Sequence, residues 1–286
     1  MVTANAARSG TFSFGGELRV HRLGFGAMRL CGSGVWGWPT NRENALAVLR
    51  RVVDLGVTFI DTAEAYGPGV NEEQIASALY PYKSDLVIAT KGGTTRSGPG
   101  QWGRDCRPER LKRLCDESLA RLRCDRIDLY QLHAVDTHVA FEEQIGALRD
   151  LRDAGKIRLV GLSNVSLAQV RAAEKIVPIA SVQNAYNVGN RASEDVLRYC
   201  EAHAIGFIPY FPLDGGDIKT VHALEPIARA HDATVWQVAL AWLLRRSPVM
   251  VPIPGTSSLS HLDENIAAAA IALSDEEYAA LDAIAG

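Results

Sequence analysis

The stretch VTFIDTAEAYGPGVNEEQIASAL, residues 57–79, holds one complete strand-and-helix unit. Its opening run, VTFIDTA (57–63), is too continuously apolar for a half-exposed antiparallel strand. It reads as a parallel strand covered on both faces. Its end, 71–79, has helical period. Between them the apolar pair Phe59 and Ile60 gives way to a carboxylate, Asp61, and five residues later comes the phenol of Tyr66, before Gly67. A buried strand that ends in an acid, with a phenol beyond it, reads as the rim of an active site.

The same rhythm recurs along the chain. Apolar runs lie at 20–28, 57–63, 86–91, 127–134, 159–164, 180–187, 206–213 and 249–256. Helical stretches lie between them, at 41–55, 71–79, 108–122, 138–154, 166–177, 193–204 and 234–246, with a last one at 274–285. Thr40 with Glu43, and Ser274 with Glu277, read as capping boxes. Gly56 marks a helix exit, and Pro108 suits a first helical turn. Alternating strand and helix means parallel βαβ units. Eight repeats predict an α/β fold, a closed (β/α)8 TIM barrel. The open doubly wound alternative usually begins with a glycine-rich phosphate turn, and GFGAMR (24–29) lacks its third glycine. TFSFGGELRV (11–20) reads as an N-terminal β-hairpin plug turning at Gly15 and Gly16. No composition break appears, so residues 1–286 are expected to form a single domain, with 1–10 flexible.

Bulk properties narrow the function. Of 286 residues, 47% are hydrophobic and 22% charged, an ordinary globular balance. A formal net charge of −3 invites neither nucleic acid nor an anionic membrane. The start has no apolar core, so no secretory signal is expected, and IAAAAIAL is too short to span a bilayer. Five cysteines without a C-x-x-C pair read as reduced thiols in a cytoplasmic protein, with no metal site. A monomer or small homo-oligomer is expected.

In a barrel every strand end points to one rim. There the second run leaves Asp61 and Tyr66, the third Lys91 and the fourth His133. The fifth leaves Ser163 and Asn164, the sixth Gln183 and Asn184, the seventh Tyr210, and the eighth Gly255 and Thr256. Taken singly, Lys91 reads as a solvated surface group, His133 as structural and Asp61 as a cap. Together they form a reaction centre. A phenol has an ordinary pKa of about 10, and a nearby ammonium lowers it. Lys91 is expected to do this, held by Asp61. His133 then donates to a carbonyl oxygen, and Tyr66 delivers a proton to it. No nucleophile elbow is present, so a hydride from a bound nicotinamide completes the reaction. A Schiff-base lyase using Lys91 is a chemical alternative, opposed by Asp61, which keeps that amine protonated.

The segments GFGAMRL (24–30), DTAEAYG with NEEQIASAL (61–79), TKGG (90–93), DLYQLH (128–133), GLSN (161–164), VQNAYN (182–187), PYFPL (209–213) and IPGTSSLSHLDENI (253–266) resemble the aldo-keto reductase family. The resemblance spans almost the whole chain, and it implies NADPH bound in a barrel without a Rossmann domain, NADH not being excluded. The catalytic four map onto Asp61, Tyr66, Lys91 and His133. Nicotinamide amide contacts map onto Ser163, Asn164 and Gln183, and the stacking aromatic onto Tyr210. Phosphate and adenosine contacts fall on Phe211, Pro212 and Leu213 and on Gly255, Thr256, Ser257, His261, Glu264 and Asn265. Better-known members carry a Lys and an Arg where Gly255 and His261 stand, so the usual cationic clamp is missing. Pocket walls are expected from Trp36 and Trp38 (31–40), and from Trp102 on a mobile glycine-rich loop (92–106). The segments look most like a bacterial branch that includes pyridoxal reductases, which suits aromatic aldehydes. Keto-sugar reductases of biosynthetic pathways share similar barrels. A cofactor-binding sensor barrel with little catalysis is a further alternative, opposed by the presence of all four catalytic types.

Overall fold

The computed structural model describes residues 4–212 and 221–285. The chain opens with an antiparallel hairpin, β1 (Thr11–Phe14) and β2 (Leu18–His21). Then come β3 (Phe25–Gly26), β4 (Phe59–Asp61) and β5 (Val87–Gly92). A second hairpin follows, β6 (Thr94–Gly98) and β7 (Gln101–Arg104). The remaining strands are β8 (Ile127–Leu132), β9 (Ile157–Ser163), β10 (Ile179–Ala185) and β11 (Gly206–Tyr210). The principal sheet runs β3-β4-β5-β8-β9-β10-β11, parallel throughout.

Residues 249–254 close the ring. Toward β11, Phe207 N donates to Val249 O (2.9 Å) and Val251 N donates to Phe207 O (2.8 Å). Toward β3, Gly24 N donates to Pro252 O (2.9 Å) and Gly26 N to Pro254 O (3.4 Å). The eighth run is therefore an extended segment rather than a regular strand. Pro252 and Pro254 face β3 and have no N–H, so neither can donate to that neighbour. At this seam a Cβ on Gly26 would fall 2.7 Å from Ile253 O. The glycines of GFG thus serve close backbone packing. The first run, 20–28, also differs from expectation. Val20 and His21 belong to the plug, and only Phe25–Gly26 pairs in the barrel.

The plug fills the N-terminal end. Phe14, Leu18 and Val20 pack with Phe59, Val87, Leu129, Leu159, Ile208 and Val251 as one inner cluster. Gly206 makes room for it, since a Cβ there would lie 2.2 Å from the Phe14 ring. Just upstream, Ala6–Ser9 form a helical turn, and buried Ala6 donates its N–H to Leu55 O (2.8 Å). This turn lies within the start expected to be flexible.

Around the sheet lie α1 (Arg42–Asp54), α2 (Val70–Leu79), α3 (Pro108–Leu122), α4 (Phe141–Asp153), α5 (Leu167–Glu174) and α6 (Glu194–His203). They continue as α7 (Val221–Ala230), α8 (Val235–Arg246), α9 (Leu259–Ala267) and α10 (Asp275–Asp282). Their apolar stripes bury Leu49, Ile75, Leu111, Leu148 and Trp242 against the sheet. The α1 cap is Asn41, whose side chain accepts from Asn44 N (3.0 Å), in place of the box expected at Thr40. Capping boxes stand at Ser166, Thr234 and Ser274. Among the described residues no helix is long and apolar enough to cross a membrane.

Candidate active site

Neighbouring strands β4, β5 and β8 carry three charged or polar groups to one level. Asp61 pairs in register with Ala89, and Lys91 with Gln131. Beyond β4 a tight turn, closed by Tyr66 N on Ala63 O (3.0 Å), swings Tyr66 back over the strand ends. Lys91 is fully buried and Asp61 is 2% exposed. Lys91 Nζ donates to Asp61 Oδ2 (2.5 Å) and Thr62 O (2.9 Å), and reaches Tyr66 Oη at 3.5 Å. The other Asp61 oxygen accepts from Gln131 Nε2 (3.1 Å) and Gln183 Nε2 (2.8 Å).

The charges settle as follows. Burial works against the Lys91 ammonium, but Asp61 and Tyr66 outweigh it and its pKa moves up. Burial raises Tyr66, and the opposing pull of Lys91 does not overcome it. The expected lowering of the phenol below its ordinary value is therefore corrected, because desolvation exceeds the ammonium's attraction. Tyr66 keeps its proton. Burial, then the charges of Lys91 and Arg96, hold His133 well below the usual imidazole range. It is neutral, and its Nδ1 is buried with no protein partner.

Trp102 covers this centre edge-on, with ring centroids 6.4 Å from Tyr66 and 6.5 Å from His133. It sits on the β6–β7 hairpin, so the loop expected to be mobile is hydrogen-bonded structure. Arg96, its cross-strand partner, staples that hairpin down. Its guanidinium lies 3.6 Å from the Trp102 ring and donates to Val35 O (2.9 Å), Ala65 O (3.0 Å) and Gly34 O (2.7 Å). Trp36 and Trp38 do not border the cavity, contrary to expectation. Each is held by an arginine instead: Trp36 lies 5.8 Å from Arg96 and Trp38 3.7 Å from Arg42.

A cavity of about 780 Å³ opens over Asp61, Tyr66 and His133. Ser163, Asn164, Gln183, Tyr210, Phe211 and Pro212 border it, and so do Gly255, Thr256, Ser257, His261, Glu264 and Asn265. Leu213 lies outside the described residues. Asn164 takes a left-handed conformation (φ 58°), uncommon for a side-chain-bearing residue. Three bonds hold it there: its Nδ2 donates to His133 O and Ser163 Oγ (both 3.0 Å), and Tyr210 Oη donates to its Oδ1 (2.8 Å). At the far wall Ser258 caps α9, accepting from His261 N (3.3 Å), while Asn44 Nδ2 donates to Ser257 O (2.7 Å).

Several wall residues were not anticipated. Arg29, from the turn after β3, borders the cavity across from Gly255, with its Cγ 3.7 Å from where a Gly255 Cβ would stand. A cation thus reaches this wall from another element. Its signal was the R of GFGAMR, hidden because no neighbouring residue in sequence shares its chemistry. Thr234 and Trp236 also border the cavity at the start of α8, where the Thr234–Gln237 box was legible. Among the described residues no cluster of His, Cys, Asp or Glu could hold a metal ion.

The profile of the Aldo/keto reductase family matches residues 22–285. The chain belongs to the aldo/keto reductase family. It is 45% identical over 279 residues to an uncharacterized oxidoreductase of Schizosaccharomyces pombe, covering 97% of this chain and 90% of the relative. It is 42% identical over 282 residues to pyridoxine 4-dehydrogenase of Escherichia coli, covering 96% and 98%. An aldo-keto reductase from Klebsiella pneumoniae, solved in complex with NADPH, superposes with a TM-score of 0.81 at 30% identity, over 99% of this chain and 95% of that one. This aldo/keto reductase is accordingly an oxidoreductase.

Proposed function

We propose that this enzyme reduces an aldehyde or ketone to an alcohol with NADPH, Tyr66 being the proton donor. The observation that carries the reading is the buried Lys91–Asp61 pair, with Tyr66 Oη 3.5 Å from the ammonium, at the floor of the cavity. The residues present fit the cofactor. Polar Ser163, Asn164 and Gln183 lie with the Tyr210 ring along one wall, suited to a carboxamide and its ring. Hydroxyls and N–H groups at the start of α9, with Arg29, suit phosphates at another. A volume of about 780 Å³ exceeds the need of one small carbonyl compound.

When bound, the cofactor supplies a hydride to the carbonyl carbon. The chain's own groups handle the oxygen. Neutral His133, on the cavity wall, offers a hydrogen bond to it. Tyr66 transfers its proton as negative charge develops there, and the phenolate left behind faces Lys91. Asp61 keeps Lys91 charged and aimed. Trp102 shields the centre from water and presents a flat apolar wall, which favours aromatic aldehydes. The relative named for pyridoxine makes pyridoxal the first aldehyde to test. Five free thiols, three of them buried, support a reducing, cytoplasmic setting.

The test is loss of NADPH absorbance with pyridoxal, simple aromatic aldehydes and keto sugars, NADH being run in parallel. The expected result is turnover with an aromatic aldehyde, abolished in Tyr66→Phe while NADPH still binds. Full turnover in Tyr66→Phe removes the acid role from Tyr66.

A further inference from the structure

Gln131 is the penultimate residue of β8, fully buried, and its residue type alone does not mark it as functional. In register it sits between Lys91 on β5 and Gly161 on β9, and Gly161 pairs in turn with Ser181 on β10. The level is built around its side chain. A Cβ on Gly161 would fall 2.8 Å from Gln131 Cγ, so glycine is what lets this amide lie inward.

The amide has one partner that decides its sense. Ionised Asp61 can only accept hydrogen bonds. Asp61 Oδ1 is reached by Gln131 at 3.1 Å and by Gln183 at 2.8 Å, so both amides must turn their NH2 groups toward it. With its nitrogen so committed, Gln131 turns its Oε1 to Gln183, whose Nε2 lies 3.5 Å away. Gln183 therefore meets an acceptor on both inner neighbours, Asp61 and Gln131. A flipped Gln183 amide would set its oxygen against both of those oxygens.

We infer that Gln131 is a positioning residue that fixes the Gln183 amide, so that Gln183 offers its carbonyl oxygen, and not its NH2, to the carboxamide of the nicotinamide ring. This rests on the cofactor reading above. It makes the Lys91–Asp61 pair do two jobs. The pair holds the phenol's neighbour charged, and through two glutamines it sets the hydrogen-bonding sense of the wall against which the ring lies.

The test separates the nicotinamide end from the rest of the ligand. Wild type and Gln131→Leu are titrated with NADPH and with 2′,5′-ADP, which lacks the nicotinamide, using tryptophan fluorescence. The expected result is NADPH binding weakened about fivefold, the equivalent of one net hydrogen bond, with 2′,5′-ADP binding unchanged. Equal weakening of both ligands, as from general loosening of the barrel, overturns the inference. So does unchanged NADPH affinity. If Gln131→Leu does not fold, Gln131→Met keeps the length of the side chain and reads the same two ratios. Failure of the wild type to bind NADPH overturns the cofactor reading, and this inference with it.

Discussion

Glu64→Gln should stabilise the protein above neutral pH and leave it unchanged in acid. Glu64 lies between Asp61 and Tyr66 in the turn that positions the phenol. Its backbone N–H donates to Lys91 O (3.2 Å), and its carbonyl accepts from Gly69 N (2.7 Å). Its carboxyl is partly buried beside Glu72, which is fully buried and takes hydrogen bonds from Thr90 Oγ1 (2.5 Å) and Arg121 Nε (2.7 Å). Burial first, then the Glu72 charge and more weakly Glu117, push Glu64 up, while Arg121 and Arg110 pull it back. It settles at about 7, against an ordinary 4.5.

Between those two values the native state keeps a proton that the unfolded chain has released. Stability is full below 4.5 and falls as pH rises toward 7, by about 1.4 kcal/mol per unit. The whole window amounts to roughly 3 kcal/mol, trimmed to roughly 2 by residual contact with water. Glutamine has the same shape and never ionises, so it escapes this loss. Urea unfolding of both proteins at about pH 4.5 and about pH 8 measures the difference. The variant should match wild type at the lower pH and exceed it by roughly 2 kcal/mol at the higher. A difference that is the same at both, or that favours wild type in alkali, refutes the reasoning.

Two further outcomes follow from the site. Tyr66 and Lys91 are both raised and His133 is held neutral, so kcat for reduction should stay level through neutral pH. It should fall only above the ordinary phenol value of 10.0, where Tyr66 loses the proton that the proposed mechanism requires. A half-loss of kcat near neutrality would show that another group controls turnover. Arg96→Met removes the guanidinium stacked on Trp102, an interaction of about 0.5–2 kcal/mol. KM for flat aromatic aldehydes should rise roughly two- to thirtyfold at nearly constant kcat, with a red-shifted tryptophan emission. An unchanged KM would mean that Trp102 needs no such support.

The barrel was legible because its signal is local. Each apolar run and each amphipathic stretch shows in a short window, and the strand ends then fall on one rim by topology alone. Reading failed where partners are distant. The eighth run looked like a strand because its apolar character is complete, whereas its prolines decide its hydrogen bonds. The 92–106 stretch looked mobile because it is rich in glycine, whereas hairpin pairing and Arg96 reaching carbonyls at Gly34, Val35 and Ala65 order it. Trp36 and Trp38 were placed by nearness in sequence, and cation–π contacts hold them elsewhere. Asp61, Tyr66, Lys91 and His133 stood out as candidates because their types are chemically conspicuous. Gln131 did not, since an amide inside an apolar strand signals nothing until the carboxylate it serves is in view.

One strand shows why the electrostatics were the hardest part to read. In VIATKG the side chains alternate between the cavity and the helical layer. Lys91 points inward to Asp61, while Thr90 points outward to the Glu72–Arg121 pair. An ion pair with a buried carboxylate thus meets each face of β5. Such pairs are costly to desolvate, and losing one partner is worse than losing both, because the charge left behind has no water to turn to. That cost explains the density of hydrogen bonds around them, with Thr62 O and two glutamines inside, and Thr90 and Arg121 outside. The same burial, with the Glu72 charge, raises the Glu64 carboxyl. Asp61 accepts three hydrogen bonds, from Lys91, Gln131 and Gln183, whereas Glu64, beside the Glu72 charge, holds its proton up to about pH 7. The charge pattern around the proposed reaction centre is therefore set on both sides of a single strand.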